Sequence, residues 1–191
     1  MNTGDKIKNN LIKLSHSVVI SGLSCLYLSV PNMITKNLIF FISTTYFIND
    51  TRIILKCDVI DYPIVYHHVA AMLLLYAFYI GYYEYSLIYL YNTAEISNIP
   101  MYITYHLRKT SSDIEFNLCS NILQAIFYGY FRVYRMTDYL IKNTYLIYTP
   151  LAPLLVIYIM GLVWFITLCN QVYLERITIK YIIYDKFLRN E

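Results

Sequence analysis

Long apolar runs alternate with short polar breaks along almost the whole chain. A helix needs about 20 predominantly apolar residues to cross a bilayer core. The first run goes from Leu14 to Thr35, between Lys13 and Lys36, with Pro31 marking its end. The second goes from Asn37 to about Leu55 and contains Asp50 and Arg52. Lys56-Cys57-Asp58 and Asp61-Tyr62-Pro63 separate it from the third, about Tyr62 to Tyr83, which opens with His67-His68. Glu84 falls in a very short turn, and the fourth run returns from Tyr85 to about Leu107 through Glu95. The break from Arg108 to Asp113 ends in a Ser or Asp suited to cap the next helix. The fifth run spans about Phe116 to Tyr139, with Arg132 and Arg135 near its far end. The sixth is the longest uncharged stretch, Asn143 to Leu174, and its membrane part starts near Pro150.

This pattern predicts an all-α protein, a polytopic membrane bundle of about six transmembrane helices. One domain is expected: a cytosolic segment over 1–13, the six-helix unit over 14–174, and a cytosolic tail over 175–191. No repeat or low-complexity linker interrupts it. The first run is too long for a signal peptide and lacks a small-residue cleavage site, so it reads as a span.

Composition agrees. Of 191 residues, 58% are hydrophobic and 14% charged, against roughly 25% charged in a soluble domain. The 23 Tyr and 9 Phe suit helix ends at a membrane interface. A net charge of +3 without a basic block gives no reason to expect a nucleic-acid partner. In a six-span topology one side holds Lys6, Lys8, Lys13, Lys56, Arg108, Lys109, Arg176, Lys180, Lys186 and Arg189. The other holds Lys36, Arg132, Arg135 and Lys142. That asymmetry places both termini in the cytosol. Cys25, Cys57, Cys119 and Cys169 lie far apart and read as small core residues.

Charged side chains within spans cost at least about 2.5 kcal/mol each, so they tend to face the bundle interior and mark function. Here they are Asp50, Arg52, His67, His68, Glu95 and Arg132. At 1.5 Å per residue, Asp50, His67, His68, Glu95, Asn98 and Asn170 share the cytosolic half, while Arg132 lies toward the opposite face. The short third-to-fourth connection makes those spans antiparallel neighbours, so the histidines can meet Glu95 and Asn98. Asn92, Glu95, Ile99, Tyr102 and His106 form a mostly polar stripe, and Pro100 removes a backbone hydrogen bond beside it. A His with a carboxylate suits general-base or nucleophilic work. The same groups also suit an interhelical hydrogen-bond network. Asp50 with Arg52 reads as a structural pair, and His16 and His106 as bystanders. Adjacent histidines point about 100° apart on a helix, and no metal motif is present, so no metal site is expected.

The run Asp61-Tyr62-Pro63-Ile64-Val65-Tyr66-His67-His68, followed by Ala94-Glu95-Ile96-Ser97-Asn98-Ile99-Pro100, resembles the TLC domain, the TRAM/Lag/CLN homology family that includes ceramide synthases. An adjacent His pair opens a span. An acidic residue follows about 27 positions on, with Ser97 two positions after it. Asp50 late in the preceding span, Phe131-Arg132-Val133, and Asn170 near the end of the last span are similar too. The resemblance covers roughly Leu38 to Arg176.

What the resemblance implies is residue-specific. In the synthases the His pair and two following aspartates join a fatty acyl-CoA to a sphingoid base amine. His67 and His68 match the pair, Glu95 stands at the first aspartate, and Asn98 at the second. The pattern is closer to the small TLC-only proteins linked to membrane lipid composition. The expectation is a multi-pass protein that binds or senses a membrane lipid or fatty acyl chain. The alternatives are a ceramide-synthase-type acyltransferase using His67, His68 and Glu95, or a non-catalytic escort of other membrane proteins. Asp50, Ser97, Asn98, Arg132 and Asn170 would form the lipid-binding or structural network. No cofactor is expected beyond acyl-CoA as a co-substrate if the protein is an enzyme. The family default location is the endoplasmic reticulum, with a host membrane as the other option.

Overall fold

A computed structural model describes residues 3–57, 59–110, 114–148 and 152–189. Among these every regular element is helical and no strand occurs. Helix α1 is Thr3–Ser29, α2 Met33–Ile54, α3 Tyr62–Tyr79 and α4 Glu84–Thr110. Helix α5, Ile114–Tyr128, continues through a π-helical stretch, Gly129–Arg135, into α6, Met136–Lys142. A short α7, Tyr145–Tyr148, precedes the long α8, Ala152–Arg189. Within the described residues, two stretches are long and apolar enough to cross a membrane by length and composition, Ile7–Ser29 and Pro153–Thr178. The other helices are diluted by charged residues or tyrosines.

Local chemistry sets most boundaries. Helix α1 stops before Pro31, and Asn32 caps α2 by accepting from the Thr35 N–H at 2.8 Å. Thr35 and Lys36 therefore open α2 rather than flank the first run. Asp61 accepts from the Ile64 N–H at 3.4 Å and Pro63 occupies the first turn of α3. The turn into α4 needs left-handed backbone at Gly81 (φ 86°) and Tyr83 (φ 45°). Glu84 is not in that turn; it starts α4, where it pairs with Lys36 Nζ at 2.9 Å. The cap expected among Ser111, Ser112 and Asp113, and the start near Pro150, lie outside the described residues. The stretch after Leu174, expected as a tail, continues α8 to Arg189. Glu175 there accepts from Asn121 and stands 3.2 Å from Arg108, tying α8 to α5 and to the end of α4.

Helix α4 is the centre of the bundle. Leu87, Ile88, Leu90, Asn92, Thr93, Ala94, Glu95 and Ser97 are all buried. Its most extensive partner is α1, not α3. Ser17, Ser21 and Ser24 lie buried on α1, and small residues let two helix backbones approach closely. Helix α3 diverges from α4 after the turn and packs mainly on α2 and α8. An apolar core of Ile39, Leu75, Phe78, Ile88, Met136 and Leu146 fills the end of the bundle near that turn. Helix α8 approaches the π-helical stretch closely: a Cβ on Gly129 would lie 2.7 Å from the Phe165 ring.

The outer surface is apolar. Ile34 is 75% exposed, and Phe41, Leu73, Ile126, Ile159 and Ile166 also face outward. The four cysteines, expected in the core, are all exposed. A small apolar residue is as well accommodated on an apolar exterior as inside, so its hydrophobicity does not fix where it goes.

Candidate functional site

Two cavities meet near the middle of the bundle. One is polar and lined by Lys13, Tyr46, Asp50, His68, Tyr102 and Trp164. The other is apolar and runs along α3 and α4 past Ala71, Leu75, Leu87 and Ile88 to Phe78. Phe47, His67, Glu95 and Asn98 line both. His67 to Phe78 is 11 residues of helix, roughly 16 Å at 1.5 Å per residue. Among the lining residues farthest from His67 along α3 is Phe78, which has the Tyr27 ring at 5.4 Å and Lys36 Nζ at 5.5 Å.

The polar wall of these cavities contains two carboxylates, each with its own histidine. Asp50 Oδ2 lies 2.8 Å from Lys13 Nζ and 3.5 Å from His68 Nε2. Thr51 Oγ1 is 2.9 Å from His68 Nδ1. With the ring proton on Nε2 facing Asp50, Nδ1 accepts from the Thr51 hydroxyl, so both ring nitrogens are engaged. Glu95 Oε2 accepts from Ser17 Oγ at 2.6 Å and stands 3.7 Å from His16 Nδ1. The His16 ring stacks on Tyr46 with centroids 3.8 Å apart.

Several expectations change here. The histidines do not pair with Glu95: His68 belongs to Asp50, and His16, expected as a bystander, belongs to Glu95. The reason is the packing of α1 on α4, which puts α1 side chains on the face of Glu95. Asp50 does not pair with Arg52, which is exposed; residues two apart on a helix point to different faces. Its cation is Lys13, from the expected N-terminal segment. Asn170 is exposed on α8. The buried stripe of that helix is Leu154, Ile157, Gly161 and Leu168, and a residue two beyond Leu168 points about 200° away.

Ser97 is buried, and its hydroxyl donates to the Ala94 carbonyl at 2.6 Å. It braces α4 ahead of Pro100 rather than facing a cavity. Asn98 lines both cavities and interacts with the Glu95 carboxylate. His67 lines both cavities, packs on Trp164 at 5.3 Å, and among the described residues has no partner for Nδ1.

Arg132 is not at the far face but beside His67 and Glu95, lining the apolar cavity. The α5–π–α6 rod continues ten residues beyond it to Lys142, about 15 Å. Arg132 therefore stands well inside the bundle, and its long side chain lies over Gly161 of α8.

Lys13, His16 and Ser17 were missed because α1 reads as a plain apolar run. The available signal was the polar series Asn10, Ser17, Ser21 and Ser24 at helical spacing, all of which are buried. Among the described residues no group of three His, Cys, Asp or Glu side chains is arranged to hold a metal.

The model of the TLC domain family matches residues 6–177 of the 191. The chain belongs to the TLC domain family. The functions of this family concern membrane lipids. No curated protein and no solved structure matches the chain. Membership and the two long apolar helices point to insertion in a membrane.

Proposed function

We propose that this TLC domain protein is a multi-pass membrane bundle that holds the chain of a membrane lipid or fatty acyl group between α3, α4 and α8. The observation that carries this reading is the apolar cavity. It reaches Phe78 between mostly apolar side chains and shares His67, Glu95 and Asn98 with the polar cavity. Its empty space is about 580 Å³, part of it open to the surroundings. The apolar exterior supports the multi-pass topology. In water such a surface would drive aggregation, whereas in lipid it needs no cover. The charge distribution favours both termini in the cytosol and the family favours the endoplasmic reticulum.

The test is lipid analysis of protein purified in mild detergent. A defined lipid retained above the detergent background supports the reading. Its absence from monodisperse protein, together with failure to take up added single-chain lipids, would sink it.

A second reading, acyl transfer of the ceramide-synthase type, rests on one observation. His67 presents a buried nitrogen without a partner at the junction of the two cavities. As general base it would take a proton from an amine while nitrogen bonds to the acyl carbon, and return it to the CoA thiolate as the carbon–sulfur bond breaks. Glu95 and Asn98 are the polar groups beside it. Product from acyl-CoA and a sphingoid base that vanishes in His67→Ala, but survives in Glu95→Gln, would assign the base to His67 alone. No product from folded protein would remove this reading.

A further inference from the structure

Arg132 is 2% exposed, yet among the described residues no carboxylate lies within 4.0 Å of it. Its Nε has no hydrogen-bond partner. A buried guanidinium is always charged and carries five donors, and leaving a buried charge uncompensated is strongly unfavourable. Glu95 lies near enough to act on it electrostatically, but that carboxylate is held from the other side by Ser17 and His16. The protein also keeps the room: a Cβ on Gly161 would stand 3.0 Å from Arg132 Cγ and Nε. The cation is thus cradled at the mouth of the apolar cavity with Glu95 acting on it from a distance and, among the described residues, no carboxylate in contact.

We infer that Arg132 binds the anionic group, carboxylate or phosphate monoester, of a single-chain amphiphile whose tail fills the apolar cavity toward Phe78. This rests on the reading above that the cavity holds a lipid chain, and it adds the head group and the direction. The planar guanidinium fork matches both oxyanions. The apolar cavity follows α3 from His67 to Phe78. Its roughly 16 Å depth fits about a dozen carbons, each advancing about 1.3 Å in a zigzag of 1.5 Å bonds. Asn98 and His67 can donate to the same oxyanion from the polar side. A neutral head group would leave the guanidinium uncompensated, so the site discriminates by charge.

Trp164 makes the test direct. It is the single tryptophan and packs on His67 at this mouth. Its fluorescence would be followed in the purified full chain as dodecanoate brominated beside the carboxylate is added. Dodecanoate, dodecyl phosphate and dodecanol would serve as competitors. The expected result is saturable quenching, weaker when the bromine is at the tail end. Either anion should compete at least about tenfold better than the alcohol, the ratio expected for hydrogen bonds to a charged group. Which anion competes better tells a fatty carboxylate from a lysophosphatidate-like head. In Arg132→Gln the preference for anion over alcohol should fall to near unity while the alcohol still binds.

Dodecanol competing as well as dodecanoate would overturn the anion site and leave the lipid-chain reading intact. No quenching or competition by any chain would overturn both. If Arg132→Gln fails to fold, the anion-to-alcohol ratio in the unmodified chain decides. Gly161→Ala, which presses on the guanidinium without removing its charge, then gives the second measurement. Anion affinity should drop by several-fold and alcohol affinity hold; equal losses for both would count against the assignment.

Discussion

Asp50 and Glu95 are both buried carboxylates with a histidine nearby, but their surroundings differ in kind. Asp50 has a formal counter-charge at 2.8 Å, the Lys13 ammonium, and it holds His68 between itself and Thr51. Glu95 has a hydroxyl at 2.6 Å and a histidine at 3.7 Å, with its nearest fixed cation, Arg132, across a cavity. The first arrangement is closed: each group has a partner within the protein, apart from one lone Asp50 oxygen, Oδ1. The second is open: Glu95 and its cation Arg132 line the same cavity without touching. A closed ion pair fixes three helices relative to one another, whereas an open one leaves electrostatic work for a ligand. On the proposed lipid-binding reading, that difference gives Asp50, His68 and Lys13 a mainly architectural part, and Glu95, His67, Asn98 and Arg132 the part of recognition.

The most damaging change should be Lys13→Met. It leaves the Asp50 charge buried without its cation and should lower stability by about 3 kcal/mol, read as thermal unfolding in detergent. Adding Asp50→Asn should recover much of that loss, since removing both charges of a buried pair is far less harmful than removing one. A double variant as unstable as Lys13→Met alone would mean that Lys13 acts by packing.

The histidine pair offers a sharper division. His68→Ala removes a ring held from two sides and should cost about 2 kcal/mol. His67→Ala should change stability by well under 1 kcal/mol and lower ligand affinity instead. Equal destabilisation by the two would erase the distinction drawn between them.

At Glu95 the test is Ser17→Ala, which removes the one hydroxyl donor to the carboxylate among the described residues. A loss of about 1 to 2 kcal/mol is expected, smaller than at Lys13 because no counter-charge is lost. The smallest effect belongs to Arg52→Ala. Its side chain is exposed, and the change should shift stability by less than about 0.5 kcal/mol. A large loss there would restore the Asp50–Arg52 pair that the structure does not contain.

The sequence carried the helical class, because apolar runs of bilayer length leave few alternatives. It carried some boundaries too. Pro31, Asp61 and Pro63 act on their own neighbours, through ring sterics and a side-chain cap, so their effects need no distant partner. The resemblance around His67, His68 and Glu95 was legible for the same reason: a motif is a local string. What could not be read was who meets whom. Spacing along α4 puts Glu95 on a stripe but does not say that α1, distant in sequence, covers it.

Partner choice among apolar helices is set by close packing of small residues and by a few polar contacts, each worth little by itself. Ser17, Ser21 and Ser24 let α1 approach α4, and this approach brings Lys13 to Asp50 and His16 to Glu95. The same packing leaves Asn170 outside and draws Arg132 to the mouth of a cavity whose other walls come from α3, α4 and α8. The sequence by itself thus determined which segments are helices and which side chains are chemically costly to bury. Only the tertiary structure decided which of those charges are satisfied and which are left open, because that depends on contacts between helices far apart in the chain.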